Sequence, residues 1–285
     1  MINLELKYIK ADPSGNTTVF ILDTVARSQY GKIAAIAMSP GYLAAEQVGF
    51  IMPSKIDPGS FRMEMMGGEF CGNASRSFAA WQSMYKKDIG ESSANSTDKE
   101  ISLYIDVSGS NKPLKSKVRS LTSKNYFNVS VCMPIPKWIC GGESHDLGEY
   151  SIVAFDGINH IVLWNRLPSE NDVKLSKDLL LSVGASIDAF GVMFYQLSSN
   201  IMTPVVCIKD VGSKIWENSC GSGSSAAAAA IAYKRNSSVD LTIKQPGGNL
   251  SVKVDWGEKI HSIVLSGDIR FTSIGTIYID DEQLL

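Results

Sequence analysis

The sequence predicts an α+β fold of two pseudo-symmetric halves, each a curled, mostly antiparallel sheet around a central helix. Three observations carry this expectation. A cysteine–glycine pair followed by small polar residues and a helix-like run occurs twice, at Glu69-Phe70-Cys71-Gly72-Asn73-Ala74-Ser75-Arg76-Ser77 and at Glu217-Asn218-Ser219-Cys220-Gly221-Ser222-Gly223-Ser224-Ser225. The two cysteines lie 149 residues apart in a chain of 285, the spacing a duplication requires. Alternating, β-rich segments surround each motif, with few other helical stretches.

In chain order, Leu4–Ile9 alternates as a strand, Pro13-Ser14-Gly15-Asn16 is turn chemistry, and Thr17–Leu22 is the returning strand. Residues 26–38 have helical composition, ended by Ser39-Pro40-Gly41. Gln47–Met52 and Phe61–Met65 are strands, and the second feeds Gly67-Gly68 and the Cys71 helix. Residues 86–100 are polar and loop-like, and Ile101–Val107 alternates again. In the second half, Phe127–Met133 is a strand. Ile152–Phe155 and Ile161–Trp164 flank a turn at Asp156–His160. Asn171–Ser182 is a helix, and Val192–Tyr195 and Val205–Ile208 are strands before the Cys220 helix. A hairpin around Pro246-Gly247-Gly248 joins Leu241–Lys244 to Leu250–Val254, and strands at Ile263–Leu265 and Ile274–Ile279 close the chain. The predicted halves are 1–125, carrying Cys71 and rejoined by 270–285, and 126–269, carrying Cys220.

Composition narrows the function. A formal charge of −2 gives neither the basic footprint of a nucleic-acid binder nor a polybasic membrane signal. No apolar run reaches membrane-spanning length, and the first residues lack the pattern of an export signal, so a cytoplasmic protein is expected. Five cysteines without a C-x-x-C pair, with three histidines outside ligand spacing, predict reduced thiols and no metal site. Cys132 and Cys207 sit in apolar strands and read as core. Cys140, before Gly141-Gly142, reads as a loop thiol.

A cysteine that opens a helix sits among backbone N–H groups lacking intrahelical acceptors, at the positive end of the helix dipole. Such a site favours an anion, either the thiolate or a ligand carboxylate, and lowers a thiol's pKa from about 8.5 towards neutrality. Two such cysteines facing one substrate form an acid–base pair: one thiolate takes the α-proton of an amino acid and the opposite thiol returns a proton to the other face. The N–H groups of Gly72-Asn73 and Gly221-Ser222 would hold the α-carboxylate. No cofactor is required. A single cysteine of this kind is more often a small buried hydrophobe, and the duplication reverses that expectation.

Phe70-Cys71-Gly72-Asn73-Ala74 and Ser219-Cys220-Gly221-Ser222-Gly223 resemble the two catalytic signatures of the diaminopimelate epimerase superfamily. The resemblance runs through most of the chain. It implies a two-domain, cofactor-independent racemase or epimerase with Cys71 and Cys220 as the two bases, a small amino-acid substrate and no metal, and it allows a homodimer. Pro13–Thr17 is similar to the family's first Gly-Asn loop, which makes Asn16 a substrate-lining residue. Glu46-Gln47 is similar to its acid–Gln pair, and Gly157-Ile158-Asn159-His160 stands where the family carries Gly-Asn-Pro-His, which adds His160.

The chain also departs from diaminopimelate epimerases. The approach to Cys71 is not Asn-rich, and Lys209–Ser219 lacks the Glu-Arg pair that grips the amino-acid end of that substrate. The forms Met65-Met66-Gly67-Gly68-Glu69-Phe70-Cys71 and Glu217-Asn218-Ser219-Cys220 resemble the histidine racemases of opine-metallophore pathways. That resemblance makes Glu46, Glu69 and Glu217 candidates for the amino group or imidazole. Diaminopimelate epimerase, a phenazine-biosynthesis-type isomerase and a non-catalytic amino-acid-binding or thiol redox module remain as alternatives. Only the racemase and epimerase readings require both cysteines.

Overall fold

The computed structural model describes residues 3–57, 59–88, 100–209 and 212–280. The chain divides into two compact units, unit 1 made of Met1–Val131 with Gly267–Leu285 and unit 2 of Cys132–Ser266.

In unit 1, β1 (Asn3–Asp12) turns at Ser14 and Gly15, both left-handed, and returns antiparallel as β2 (Thr18–Ile21). A 3-10 turn at Arg27–Gln29 leads into α1 (Tyr30–Met38), which crosses over to β3 (Gln47–Pro53), parallel to β2. Antiparallel β4 (Phe61–Met65) follows, and then α2 (Gly72–Asp88) crosses to β5 (Ile101–Val107), parallel to β4. β6 (Leu114–Ser120) and β7 (Tyr126–Met133) continue antiparallel. The distal part of β16 (Ile260–Asp280) lies beside both β7 and β1, so eight strands close on themselves around α2.

Unit 2 repeats the plan. β8 (Trp138–Ser144), β9 (Gly148–Ala154) and β10 (Asn159–Trp164) are antiparallel neighbours, and α3 (Glu170–Ser182) crosses to β11 (Ala189–Gln196), parallel to β10. β12 (Ile201–Ile208) pairs β11 and carries the short β13 (Ser213–Trp216). α4 (Gly221–Arg235) then crosses to β14 (Val239–Gln245), parallel to β12 at Ile201 and Lys244, and β15 (Gly248–Trp256) and the start of β16 complete the order. Each unit thus has two parallel pairs, each bridged by a helix, within an otherwise antiparallel sheet. One helix of each unit packs outside its sheet and the other is enclosed.

Burial explains the difference. α2 is buried without a break from Gly72 to Ser83, and α4 from Gly221 to Ala232. A helix buried all round suits a core position. Small residues let the strands approach closely: Ala226–Ala230 line α4, and Ala74, Ala79 and Ala80 serve α2. Phe78 of α2 meets Phe20 edge-to-face at 6.4 Å and stacks on Trp81. α1 and α3 are amphipathic. Tyr30 of α1 stacks on Phe50 at 3.7 Å, and Val173 and Leu180 of α3 join a core with Phe190 and Phe194. α3 starts on Ser169, whose side chain accepts from the Asp172 N–H, and α4 ends at Asn236 in the left-handed region, where Asn is tolerated.

Several expectations need correction. β6, β8 and β13 were not foreseen. Asn159 and His160 are strand residues of β10, with the turn confined to the preceding residues. The two closing strands are one strand, β16. Lys86 to Asp88 extend α2 rather than beginning a loop, and the rest of that expected loop, 89–99, lies outside the described residues. Cys132 is half-buried rather than core; Cys207 is half-buried and packs against the α3 core, and so does Cys140, a strand residue rather than a loop thiol. Among the described residues, no helix is long and apolar enough to cross a membrane, and no group of three or more His, Cys, Asp and Glu is placed to hold a metal.

Candidate active site

Both cysteines cap the helices they open, in the same way. The Cys71 Sγ accepts from the Ala74 N–H at 3.4 Å, and the Cys220 Sγ from the Gly223 N–H at 3.4 Å. The Cys71 carbonyl accepts the Ser75 hydroxyl at 2.7 Å, and the Cys220 carbonyl the Ser224 hydroxyl at 2.7 Å. The sulfur thus takes the side-chain place of an N-cap residue, which satisfies one first-turn donor. The N–H groups of the next two residues, Gly72-Asn73 and Gly221-Ser222, lie in the first turn of their helices. All four of these residues are buried.

In unit 1, Asn16 is the hub. It is 1% exposed; its amide donates to Glu46 Oε2 at 2.8 Å, and its Oδ1 accepts from Gln47 Nε2 at 2.6 Å and from Asn73 Nδ2 at 3.2 Å. Gln47 is further locked by a 2.8 Å bond to Thr18 Oγ1. Its oxygen is thereby aimed at Cys71, whose thiol donates to it at 3.2 Å. The contacts on Cys71 divide by charge state: the Gln47 oxygen favours the thiol, and the Ala74 N–H favours the thiolate. Five expected site residues of this half, Asn16, Glu46, Gln47, Cys71 and Asn73, form one connected network. Gly72 belongs to it through the chain.

Glu69 stands apart. Its carboxylate accepts the Gly67 N–H at 2.9 Å, and burial raises its carboxyl above the ordinary value against that bond.

In unit 2, Cys220 is nearly inaccessible. Its N–H donates to Gln245 Oε1 at 2.8 Å, its Sγ lies 3.5 Å from Ser222 Oγ, and Gln245 Nε2 reaches the Ser224 hydroxyl at 3.0 Å. The expectation that the helix start draws both thiols towards neutrality fails here. Burial pushes the Cys220 thiol well above its ordinary value and the Glu217 carboxylate adds to this, while the Ser222 and Gly223 contacts oppose it too weakly. Desolvation of the whole sulfur outweighs a partial dipole charge.

His160 is fully buried, and neither ring nitrogen has a hydrogen-bond partner. Burial lowers it to about 3, so it is neutral at physiological pH. It lies against Gly191, where an added Cβ would stand 2.4 Å from His160 Nδ1 and 2.6 Å from Met193 Cε. Met193 in turn fills the place of a side chain at Gly223, where an added Cβ would meet its Sδ at 2.1 Å. His160 thus stands behind Met193, in the layer that supports the first turn of α4.

Arg76 joins the first network, its Nη2 donating to Asn73 Oδ1 at 2.8 Å, and with Thr18 and Gln245 it escaped the reading of the sequence. Thr18 and Gln245 sit in strands and carry no motif. Arg76 left a signal: it is the one charged residue between Glu69 and Lys86, inside a run of small and apolar residues.

Comparison with known proteins places these features in context. The model of the histidine racemase CntK N-terminal domain matches residues 5–278. A histidine racemase of Fusobacterium nucleatum subsp. nucleatum is 35% identical over 284 residues, covering 96% of this chain and 97% of that protein. A histidine racemase of Staphylococcus aureus is 25% identical over 297 residues, covering 96% and 98%. Among solved structures, a hydroxyproline epimerase from Agrobacterium vitis with bound trans-4-hydroxy-L-proline superposes with a TM-score of 0.66 at 10% identity, covering 97% of this chain and 93% of that one. That likeness concerns the fold.

Proposed function

The chain belongs to the histidine racemase family, and on that premise we propose that it interconverts L- and D-histidine without a cofactor, with Cys71 and Cys220 as the proton-transferring pair. The observation that carries this reading is the duplicated cap. Two sulfurs each hold the N-cap place of a buried helix, beside first-turn N–H groups suited to a carboxylate.

The roles differ. Cys71 is half-buried and has contacts for both charge states, so it enters as the base; Cys220, buried beside Glu217, enters as the thiol. The Cys71 thiolate takes the Cα proton, and the electron pair is delocalised into the substrate carboxylate, an anion of the kind that first-turn N–H groups are suited to hold. The Cys220 S–H then delivers its proton to the opposite face of Cα. Cys71 ends as thiol and Cys220 as thiolate, the state that accepts the opposite enantiomer. The mechanism asks that both sulfurs reach one Cα from opposite sides.

Glu46, anchored by Asn16, and Glu217, beside Cys220, are assigned to the cationic amino group and imidazole of the substrate, with Glu69 as a third carboxyl near the first cysteine. His160 has no surface to offer a ligand and is assigned to support. On the resemblance of the two cysteine motifs, D-histidine is assigned to opine-metallophore assembly.

Chiral chromatography of histidine incubated with the purified, reduced protein tests the reading. Cys71→Ser and Cys220→Ser are each expected to lower racemisation by about 10²–10⁴-fold, the usual share of a general acid or base. Racemisation at wild-type rate by either variant would overturn the two-base assignment.

A further inference from the structure

We propose that Arg76 is the positioning residue of the first half-site: a buried, permanent countercharge that holds Cys71 ready as a base. This rests on the reading of Cys71 as a proton-transferring group.

Arg76 is 0% exposed, the largest fully buried side chain in the protein's described residues. Its Nη2 donates to Asn73 Oδ1 at 2.8 Å. Its Nε and Nη1 are buried without hydrogen-bond partners. Burying a charge is costly unless the charge is paired, and a structural role here asks for no charge. A neutral donor such as a Gln amide would satisfy Asn73 Oδ1, and an apolar side chain would fill the rest of the space without leaving orphaned donors. The guanidinium adds only its positive charge, which serves a site where an anion forms.

The hydrogen bonds lead from that charge to the sulfur. Arg76 orients Asn73, and Asn73 Nδ2 donates to Asn16 Oδ1 at 3.2 Å. Gln47 Nε2 donates to the same oxygen, and Gln47 Oε1 accepts the Cys71 thiol. Asn73 cannot flip, because its oxygen is claimed by Arg76 and its nitrogen by Asn16. The same fixing keeps the Gln47 oxygen on Cys71, where it favours the thiol. Arg76 supplies the opposing influence that keeps the thiolate within reach. The carboxyl groups tied to this cluster are Glu46, bonded to Asn16, and Asp268 of β16, which acts on Arg76; Glu69, two residues before Cys71, turns to the Gly67 N–H instead. Burial lowers the Arg76 guanidinium to about 10, and the Cys71 sulfur and Asp268 draw it back up. It is therefore protonated at neutral pH, and its attraction to the sulfur is mutual.

The test is the pH dependence of Cys71 carboxamidomethylation by iodoacetamide, read on the Cys71 peptide by mass spectrometry. The full-length wild type is compared with Arg76→Lys, Arg76→Gln and Asn73→Asp, each checked for a cooperative melting transition. The pH profile of kcat/KM for histidine is recorded alongside. Arg76→Gln is expected to move the Cys71 midpoint up by about one pH unit or more, the shift produced by losing a nearby opposite charge. Arg76→Lys is expected to recover most of it. The Cys132 and Cys140 peptides serve as controls and stay unmoved. If Arg76→Gln does not fold, Asn73→Asp answers in its place: it keeps the arginine, neutralises it locally, and is expected to raise the midpoint too. Coincident Cys71 midpoints in wild type and a folded Arg76→Gln or Asn73→Asp would overturn the proposal. The alkylation readout does not need turnover, so a protein that fails to racemise histidine sinks the racemase assignment without deciding the role of Arg76.

Discussion

Asn16 shows how much one residue can organise. Three side chains, Glu46, Gln47 and Asn73, take their orientation from its one amide. Asn16→Ala removes a buried partner from all of them, and leaving such groups unsatisfied costs about 1–3 kcal/mol. A lower melting temperature, with kcat lowered through the misplaced Gln47, is the expected result; unchanged stability would remove Asn16 from the hub. The two cysteines differ at this scale as well. Because a thiolate, not a thiol, attacks iodoacetamide, Cys71 should be alkylated at pH 8 about tenfold or more faster than Cys220. Equal rates would contradict the assignment of Cys71 as base and Cys220 as acid. From the sequence, the cysteines, Asn16, Glu46 and Gln47 were legible through their motifs. Cys220's raised thiol was not, because a sequence pattern reports the helix start and not the burial that outweighs it. Arg76 was visible as a lone charge in an apolar run, but nothing in the sequence tells a buried charge from an exposed one.

At the scale of elements, the helix starts are held by close packing as well as by caps. Gly223 has no side chain because Met193 of β11 occupies the place one would take. Gly223→Ala forces Met193 back towards Gly191 and His160, and overpacking of this kind costs about 1–3 kcal/mol. The expected outcome is a lower denaturation midpoint together with a slower Cys220 step, because the displaced turn carries the sulfur. A stable, fully active Gly223→Ala would show that Met193 moves aside at no cost. The elements missed in the sequence share a physical cause. β6 reads Leu-Lys-Ser-Lys-Val-Arg-Ser, with one polar face rich in lysine, and looks like a charged loop. β8 carries Gly141-Gly142, which signals a turn in the absence of its partner β9. β16 contains Gly267 and Gly275 and so reads as two strands. In the fold Gly275 lies within the β1–β16 pairing, facing Tyr8, whose ring is within 3.4 Å of where a Cβ would stand. Tertiary pairing decided each case.

For the whole molecule, the duplication is legible in the order of elements: parallel pairs bridged by α1 and α2 in one unit, and by α3 and α4 in the other. The sequence showed the repeat through its cysteines, but not the parallel pairs, which depend on which strands the crossovers join. Global stability should carry the mark of His160. Its folded-state value of about 3 lies below the unfolded value of about 6.5, so the unfolded chain binds the extra proton first. The stabilisation is complete above pH 6.5 and lost as pH falls towards 3, at up to about 1.4 kcal/mol per pH unit. Urea titrations from pH 7 to pH 4 are expected to show this slope, and His160→Phe to show a shallower one. Equal slopes would mean that His160 gains partners on acidification that its neutral form lacks.

On the proposed mechanism, two cysteines carry a proton off and onto the same carbon. This is tested most directly by proton NMR of L-histidine incubated with the reduced protein in heavy water, comparing wild type, Cys71→Ser and Cys220→Ser. Wild type is expected to replace the Cα proton with deuterium as D-histidine appears, and neither serine variant is expected to form the D-enantiomer at a comparable rate. Inversion by a single-cysteine variant at a rate near that of wild type, or D-histidine that retains its Cα proton throughout the reaction, would contradict it.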